Sequence, residues 1–97
     1  MKIERFLVPE STIEDFAEKH GLTMEIHERS DSDPDSRFYA NFANVELKFG
    51  PVLAGTHGNG PNEEAAIKNY AKEISLKSII VNEASVARRV IQCPRFI

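Results

Sequence analysis

Residues 53–71 read Leu-Ala-Gly-Thr-His-Gly-Asn-Gly-Pro-Asn-Glu-Glu-Ala-Ala-Ile-Lys-Asn-Tyr-Ala, and this stretch constrains the fold more than any other. It joins a strand end to an amphipathic helix through a glycine-rich connection. Asn62, just after Pro61, is a good N-cap, because its side-chain oxygen accepts from an orphan amide of the first turn. Ala66, Ile67, Tyr70, Ala71 and Ile74 fall on one helical stripe, while Glu64 and Lys68 form an i, i+4 pair. Gly58, Asn59 and Gly60 read as a tight structural turn needing positive φ, which glycine adopts at least cost. A helix that starts after glycines can hold an anion on its free amides. Glu63 and Glu64 instead fill the first turn with negative charge, and no Lys-Ser/Thr pair follows the glycines, so no phosphate loop is expected.

A second helix signal lies near the N-terminus. Ser11 and Glu14 have capping-box spacing, Ile13, Phe16 and Ala17 make a short apolar stripe, and Gly21 is a natural stop. The helix is expected over about residues 12–20. Alternation then predicts strands over 22–29 and 37–42, separated by the polar loop 30–36. Val45, Leu47 and Phe49 form a short edge segment after an Ala43-Asn44 turn, and Gly50-Pro51 turns the chain into a strand over 52–56. Two more strands are expected over 78–82 and 88–93, joined by 83–87. The order is α-β-β-(β)-β-α-β-β. It implies an α+β domain with an antiparallel sheet of three to five strands and both helices packed on one face. The opposite face offers Glu25, His27, Tyr39, Asn41, Glu46 and Lys48. Residues 1–97 are expected to form one domain, with 1–9 as a loosely ordered arm. An open edge, at 45–49 or at the C-terminal strand, would allow a homodimer by strand addition.

The chemistry-bearing side chains are scattered. His57 lies beside the glycine connection with no partner visible in sequence, and His20, His27 and His57 share no metal-ligand spacing. Asp31, Asp33 and Asp35 superficially match half of a calcium loop, but Ser36 and Phe42 stand where that loop needs glycine and glutamate. Cys93 is the single cysteine, so no internal disulfide forms, and no base is placed beside it. No cofactor or metal is expected. Neither a secretory signal nor a membrane-length apolar run occurs, so the expectation is a soluble protein of the cytoplasm.

Charge is the remaining signal. The net charge is −3, but residues 1–36 carry ten acids against four bases, while 37–97 carry eight bases against five acids. Such asymmetry points to a charged interaction face. The acidic third offers Glu28, Asp31, Asp33 and Asp35 as contacts for a protein with a basic surface. The basic end offers Lys77, Arg88, Arg89 and Arg95 for nucleic-acid phosphate, without the interleaved aromatics of a single-strand binder.

Three resemblances bear on this. Over roughly residues 12–75 the α-β-β-β-α pattern resembles the double-stranded RNA-binding domain, with Gly58-Asn-Gly-Pro-Asn at its second helix. Glu63 and Glu64 stand where that family carries RNA-contacting lysines, so the resemblance implies the fold and not that contact. Phe38-Tyr-Ala-Asn-Phe followed by Glu63-Glu-Ala-Ala is similar to antitoxins of the HicB kind. Gly-Asn-Gly-Pro-Asn-Glu-Glu-Ala-Ala, Tyr70-Ala71 and Arg88-Arg-Val-Ile-Gln-Cys-Pro together resemble short accessory proteins of tailed phages and prophages. That likeness implies a non-enzymatic protein that acts on a host protein, such as an inhibitor of host defence. The alternative is a nucleic-acid-binding module that uses the basic C-terminal residues.

Overall fold

The computed structural model describes residues 1–30, 33–82 and 88–97. Asp31 and the 83–87 connection lie outside the described residues. The first helix, α1 (Ile13–His20), follows a two-residue strand, β1 (Glu10–Ser11). Its N-cap is Thr12, one residue later than the expected Ser11. The Thr12 hydroxyl accepts from the Asp15 amide at 3.1 Å, and Ser11 donates to the Thr12 carbonyl instead. The shift has a cause in packing, because Ser11 pairs with Phe96 in the parallel ladder between β1 and β9 (Arg95–Phe96). Gly21 ends the helix at φ 65°, with its amide on the Ala17 and Glu18 carbonyls.

The remaining elements are β2 (Met24–Glu28), a 3-10 turn (Pro34–Ser36), β3 (Phe38–Phe42), β4 (Val45–Phe49), β5 (Val52–Ala54), β6 (Gly58–Gly60), α2 (Glu63–Ile74), β7 (Ser78–Val81) and β8 (Arg89–Gln92). The fold is α+β, as the sequence implies, with antiparallel sheets of three and four strands. One has the order β2-β3-β6 and the other β5-β4-β7-β8. Asn44 at φ 60° lies where the chain passes from the first sheet into the second, and Gly50 at φ 59° makes the tight reversal between β4 and β5. The expected edge segment 45–49 is in fact an interior strand, with Val45 opposite Val81 on one side and Leu47 opposite Ala54 on the other. The strand expected over 88–93 is β8, an edge of its sheet, and the short β9 follows it.

Both helices bury their stripes in one core. Ile13 and Phe16 of α1 meet Ala66, Tyr70, Ala71 and Ile74 of α2, with Ala40 and Phe42 from the first sheet and Leu47, Ile79 and Cys93 from the second side of the molecule. Phe42 and Tyr70 meet edge to face at 5.4 Å, and Phe16 meets Phe96 at 5.2 Å. Asn62 caps α2 as expected, its Oδ1 accepting from the Ala65 amide at 2.8 Å.

Gly58, Asn59 and Gly60 do not form the expected turn. They run as strand β6, antiparallel to β3, with Phe38 opposite Gly60 and Ala40 opposite Gly58. Neither glycine has positive φ. The reason for glycine is space, not backbone conformation. A Cβ on Gly58 would lie 2.5 Å from the Ala66 carbonyl oxygen and closer still to the Tyr70 amide. A Cβ on Gly60 would lie 2.6 Å from the Ala66 amide. The strand therefore packs directly onto the backbone of α2, and only hydrogen fits between them.

Candidate binding face

With the glycines turned toward α2, alternation sends Asn59 to the opposite, open face of β2-β3-β6. His27 and Tyr39 arrive on that face as directly opposed residues of β2 and β3. Their rings stack at 4.5 Å with 14° between planes. His57 approaches Tyr39 edge to face at 5.3 Å. The Arg29 guanidinium lies 4.3 Å from the same ring centroid. Tyr39 is thus the centre of a cluster of two imidazoles and a guanidinium on one sheet face.

Hydrogen bonds hold the cluster in place. Arg29 donates to the Ser36 carbonyl at 2.7 Å and to Asn59 Oδ1 at 2.8 Å. Asn69 of α2 donates from Nδ2 to the Asn59 carbonyl at 2.5 Å. One guanidinium therefore ties three things together: the Tyr39 ring, strand β6, and the 3-10 turn that ends at Ser36. A cation held on an aromatic face with two carbonyl acceptors is pre-oriented before any ligand arrives.

That turn brings the acidic residues next to the cluster. Asp33 caps it, Oδ1 accepting from the Asp35 amide at 2.9 Å, and both aspartates are exposed. Glu28, at the end of β2, is paired with Arg37, whose Nε and terminal nitrogen reach the same carboxylate oxygen at 2.8 and 2.5 Å. Of the four expected acidic contacts, Asp33 and Asp35 have no ion-pair partner among the described residues, Glu28 is paired with Arg37, and Asp31 lies outside the described residues.

The basic residues do not converge in the same way. Lys77 sits at the start of the β7–β8 ladder, its carbonyl accepting from the Cys93 amide. Arg89 is opposite Val81 at the other end, about 13 Å away along the strand. Its guanidinium donates to the His20 carbonyl at 3.2 Å, the end of α1 where a cation is favoured. Burial, Lys19 and Arg89 all lower the His20 pKa. Arg95 is on β9 beside Glu10, and Arg88 is exposed just ahead of β8.

Cys93 is a buried free thiol, pushed up to about 12 by burial, which suits packing and not nucleophilic chemistry. Among the described residues no three histidine, cysteine or acidic side chains come together to hold a metal ion. No helix among them is long and apolar enough to cross a membrane.

Sequence alternation placed His27 and Tyr39 on one wet face, but it left His57 alone and Arg29 without a role. The missing signal was the strand character of residues 58–60. Once Gly58 and Gly60 face the helix, His57 and Asn59 must face the tyrosine. Compared with family models, characterised proteins and solved structures, the chain matches none.

Proposed function

We propose that this protein is a small non-enzymatic protein-binding module and that its contact face is the open side of β2-β3-β6. The observation that carries this reading is the Tyr39 cluster with His27, Arg29 and His57 on an uncovered sheet face. Tyrosine and arginine dominate the energetic centres of protein interfaces, because they offer large, stiff, amphipathic contact area. Asp33 and Asp35 lie on the turn that Arg29 anchors to this face, so the rim is acidic and favours a partner with a basic surface. The resemblance to phage accessory proteins makes a host protein the expected partner class.

The test is affinity capture from host lysate with and without nuclease, followed by titration of the captured partner. Tyr39→Ala should weaken binding on the order of 30-fold, the loss expected at an interface centre. Reversing Asp33 and Asp35 to lysine should slow association and remove much of its salt dependence. Equal affinity of the wild type and Tyr39→Ala would sink the proposal.

The alternative, a nucleic-acid-binding module, draws support from the stacked His27–Tyr39 pair, since nucleobases stack on such rings. It predicts capture that collapses with nuclease and an affinity that falls steeply with salt. The dispersal of Lys77, Arg88, Arg89 and Arg95 weighs against it.

A further inference from the structure

Among the described residues, the three most exposed large apolar side chains, Met1, Phe6 and Leu7, are on one segment. Residues 1–9 form no helix or strand, and Met1, Ile3, Phe6, Leu7 and Val8 all stand in solvent, Phe6 at 81% and Leu7 at 95% exposure. The molecule measures 56 × 39 × 26 Å, with a radius of gyration of 15.1 Å. A compact chain of this length would measure about 12.5 Å. Contiguous apolar exposure of this kind marks a contact surface.

A complementary groove lies elsewhere on the same chain. It has a volume of about 520 Å³ between α1, α2 and the C-terminal strand. Its floor is apolar, with Ile13, Ile67, Ala71 and Phe96. Its rim carries Glu14, Glu63 and Glu64 against Lys68 and Lys72, which leaves one acid in excess. The arm carries Lys2, Glu4 and Arg5, and with Lys2 paired to Glu4 at 3.3 Å, Arg5 is its excess cation.

The arm cannot reach this groove in its own copy without reversing direction. β1 is parallel to β9, with Glu10 beside Arg95 and Ser11 beside Phe96, and the Arg95 amide donates to the Pro9 carbonyl. The chain ahead of Glu10 therefore leads back past Pro94. The groove opens at the other end of the ladder, where Phe96 and Ile97 line it.

We propose that the groove receives the arm of a second copy, in a reciprocal two-fold dimer. Each copy gives one arm and one groove, so the contact closes with two equivalent seats. Phe6 and Leu7 fill the apolar floor, and Arg5 meets the carboxylates of Glu63 and Glu64. This contact is separate from the Tyr39 face, which lies on the side of the first sheet away from α2, and it is read on the purified chain with no other partner present.

The experiment is sedimentation equilibrium of the full chain at micromolar concentration. The wild type should have twice the chain mass of 10.9 kDa. Phe6→Asp/Leu7→Asp should have the single-chain mass, with a melting temperature that no longer depends on protein concentration and matches that of the wild type diluted to monomer, because those side chains are largely exposed in their own copy. Ile67→Asp would test the groove floor but also endangers folding, so the rim is tested by charge exchange. Glu63→Lys/Glu64→Lys and Lys2→Glu/Arg5→Glu should each weaken dimerisation about tenfold, and combining the two sets should restore it. A monomeric wild type would overturn the proposal, as would a Phe6→Asp/Leu7→Asp variant that remains a dimer.

Discussion

Gly58 couples the core to the candidate binding face through a single missing methyl group. Its α-hydrogen side rests on the α2 backbone, where a Cβ would come within 2.6 Å of the Tyr70 Cα and 2.5 Å of the Ala66 carbonyl oxygen. Neither atom is the end of a flexible side chain, so the strand and helix themselves must part. Gly58→Ala is expected to cost about 3 kcal/mol, the upper end of the usual overpacking range. A thermal melt should fall by on the order of 10 °C. The damage should extend to the other face of the strand. The neighbouring Asn59 supplies one of the two oxygens that hold Arg29 over Tyr39, so parting the strand from the helix loosens the guanidinium as well. A melt of Gly58→Ala within 2 °C or so of wild type would mean that the close approach is not tight in solution.

The two helices and the sheet strands were legible from the sequence to different degrees, for physical reasons. Helix ends are local events. Asn62, Gly21 and the Ile13–Phe16 spacing act within one or two turns of their own position, so they could be read directly. The one-residue error at Thr12 came from a non-local cause, the pairing of Ser11 with Phe96. Strand partners are non-local throughout. Alternation gave the faces of 22–29 and 37–42, yet it could not show that 45–49 would be enclosed between β5 and β7. Glycine was misread at 58–60 because its usual use is positive φ, whereas here it is used for its lack of volume. The candidate face inherited that error, since His57 joins Tyr39 only through β6. The cap that was read correctly gives a direct test. Asn62→Ala removes the acceptor for the Ala65 amide and should cost about 1 kcal/mol. Asn62→Asp keeps an acceptor and should recover most of the loss in chemical denaturation, though Glu63 and Glu64 already supply negative charge at that helix end. Equal stability of the Ala and Asp variants would assign the effect to something other than capping.

At the scale of the molecule, two titratable groups from different elements are sealed into the same core, and they tie global stability to alkaline pH. Tyr70 of α2 is almost fully buried, and burial pushes its phenol from 10.0 up to about 12 despite a backbone hydrogen bond with Phe42. Cys93, between β8 and β9, is equally enclosed, and burial pushes its thiol from 9.0 up to about 12. Both groups are neutral when protonated, so the folded state holds its protons at a pH where the unfolded chain has released them. Well below pH 9.0 both groups stay protonated in either state, and neither costs stability. As pH rises from there toward 12, the unfolded chain gains an ionised thiolate and then a phenolate that the core refuses, and stability falls. Urea midpoints measured in pH steps should therefore be flat above the titration of His20, whose lowered pKa costs stability as pH falls through its ordinary value of 6.5, and should decline once the Cys93 threshold is passed, more steeply above pH 10 when Tyr70 joins. Cys93→Ala separates the two contributions. It creates a cavity that lowers stability at every pH, but it should delay the alkaline decline until the tyrosine range. Tyr70→Phe should do the converse, keeping the early decline and removing the later steepening. If the decline begins at the same pH in Cys93→Ala as in the wild type, the thiol is not enclosed in the folded protein.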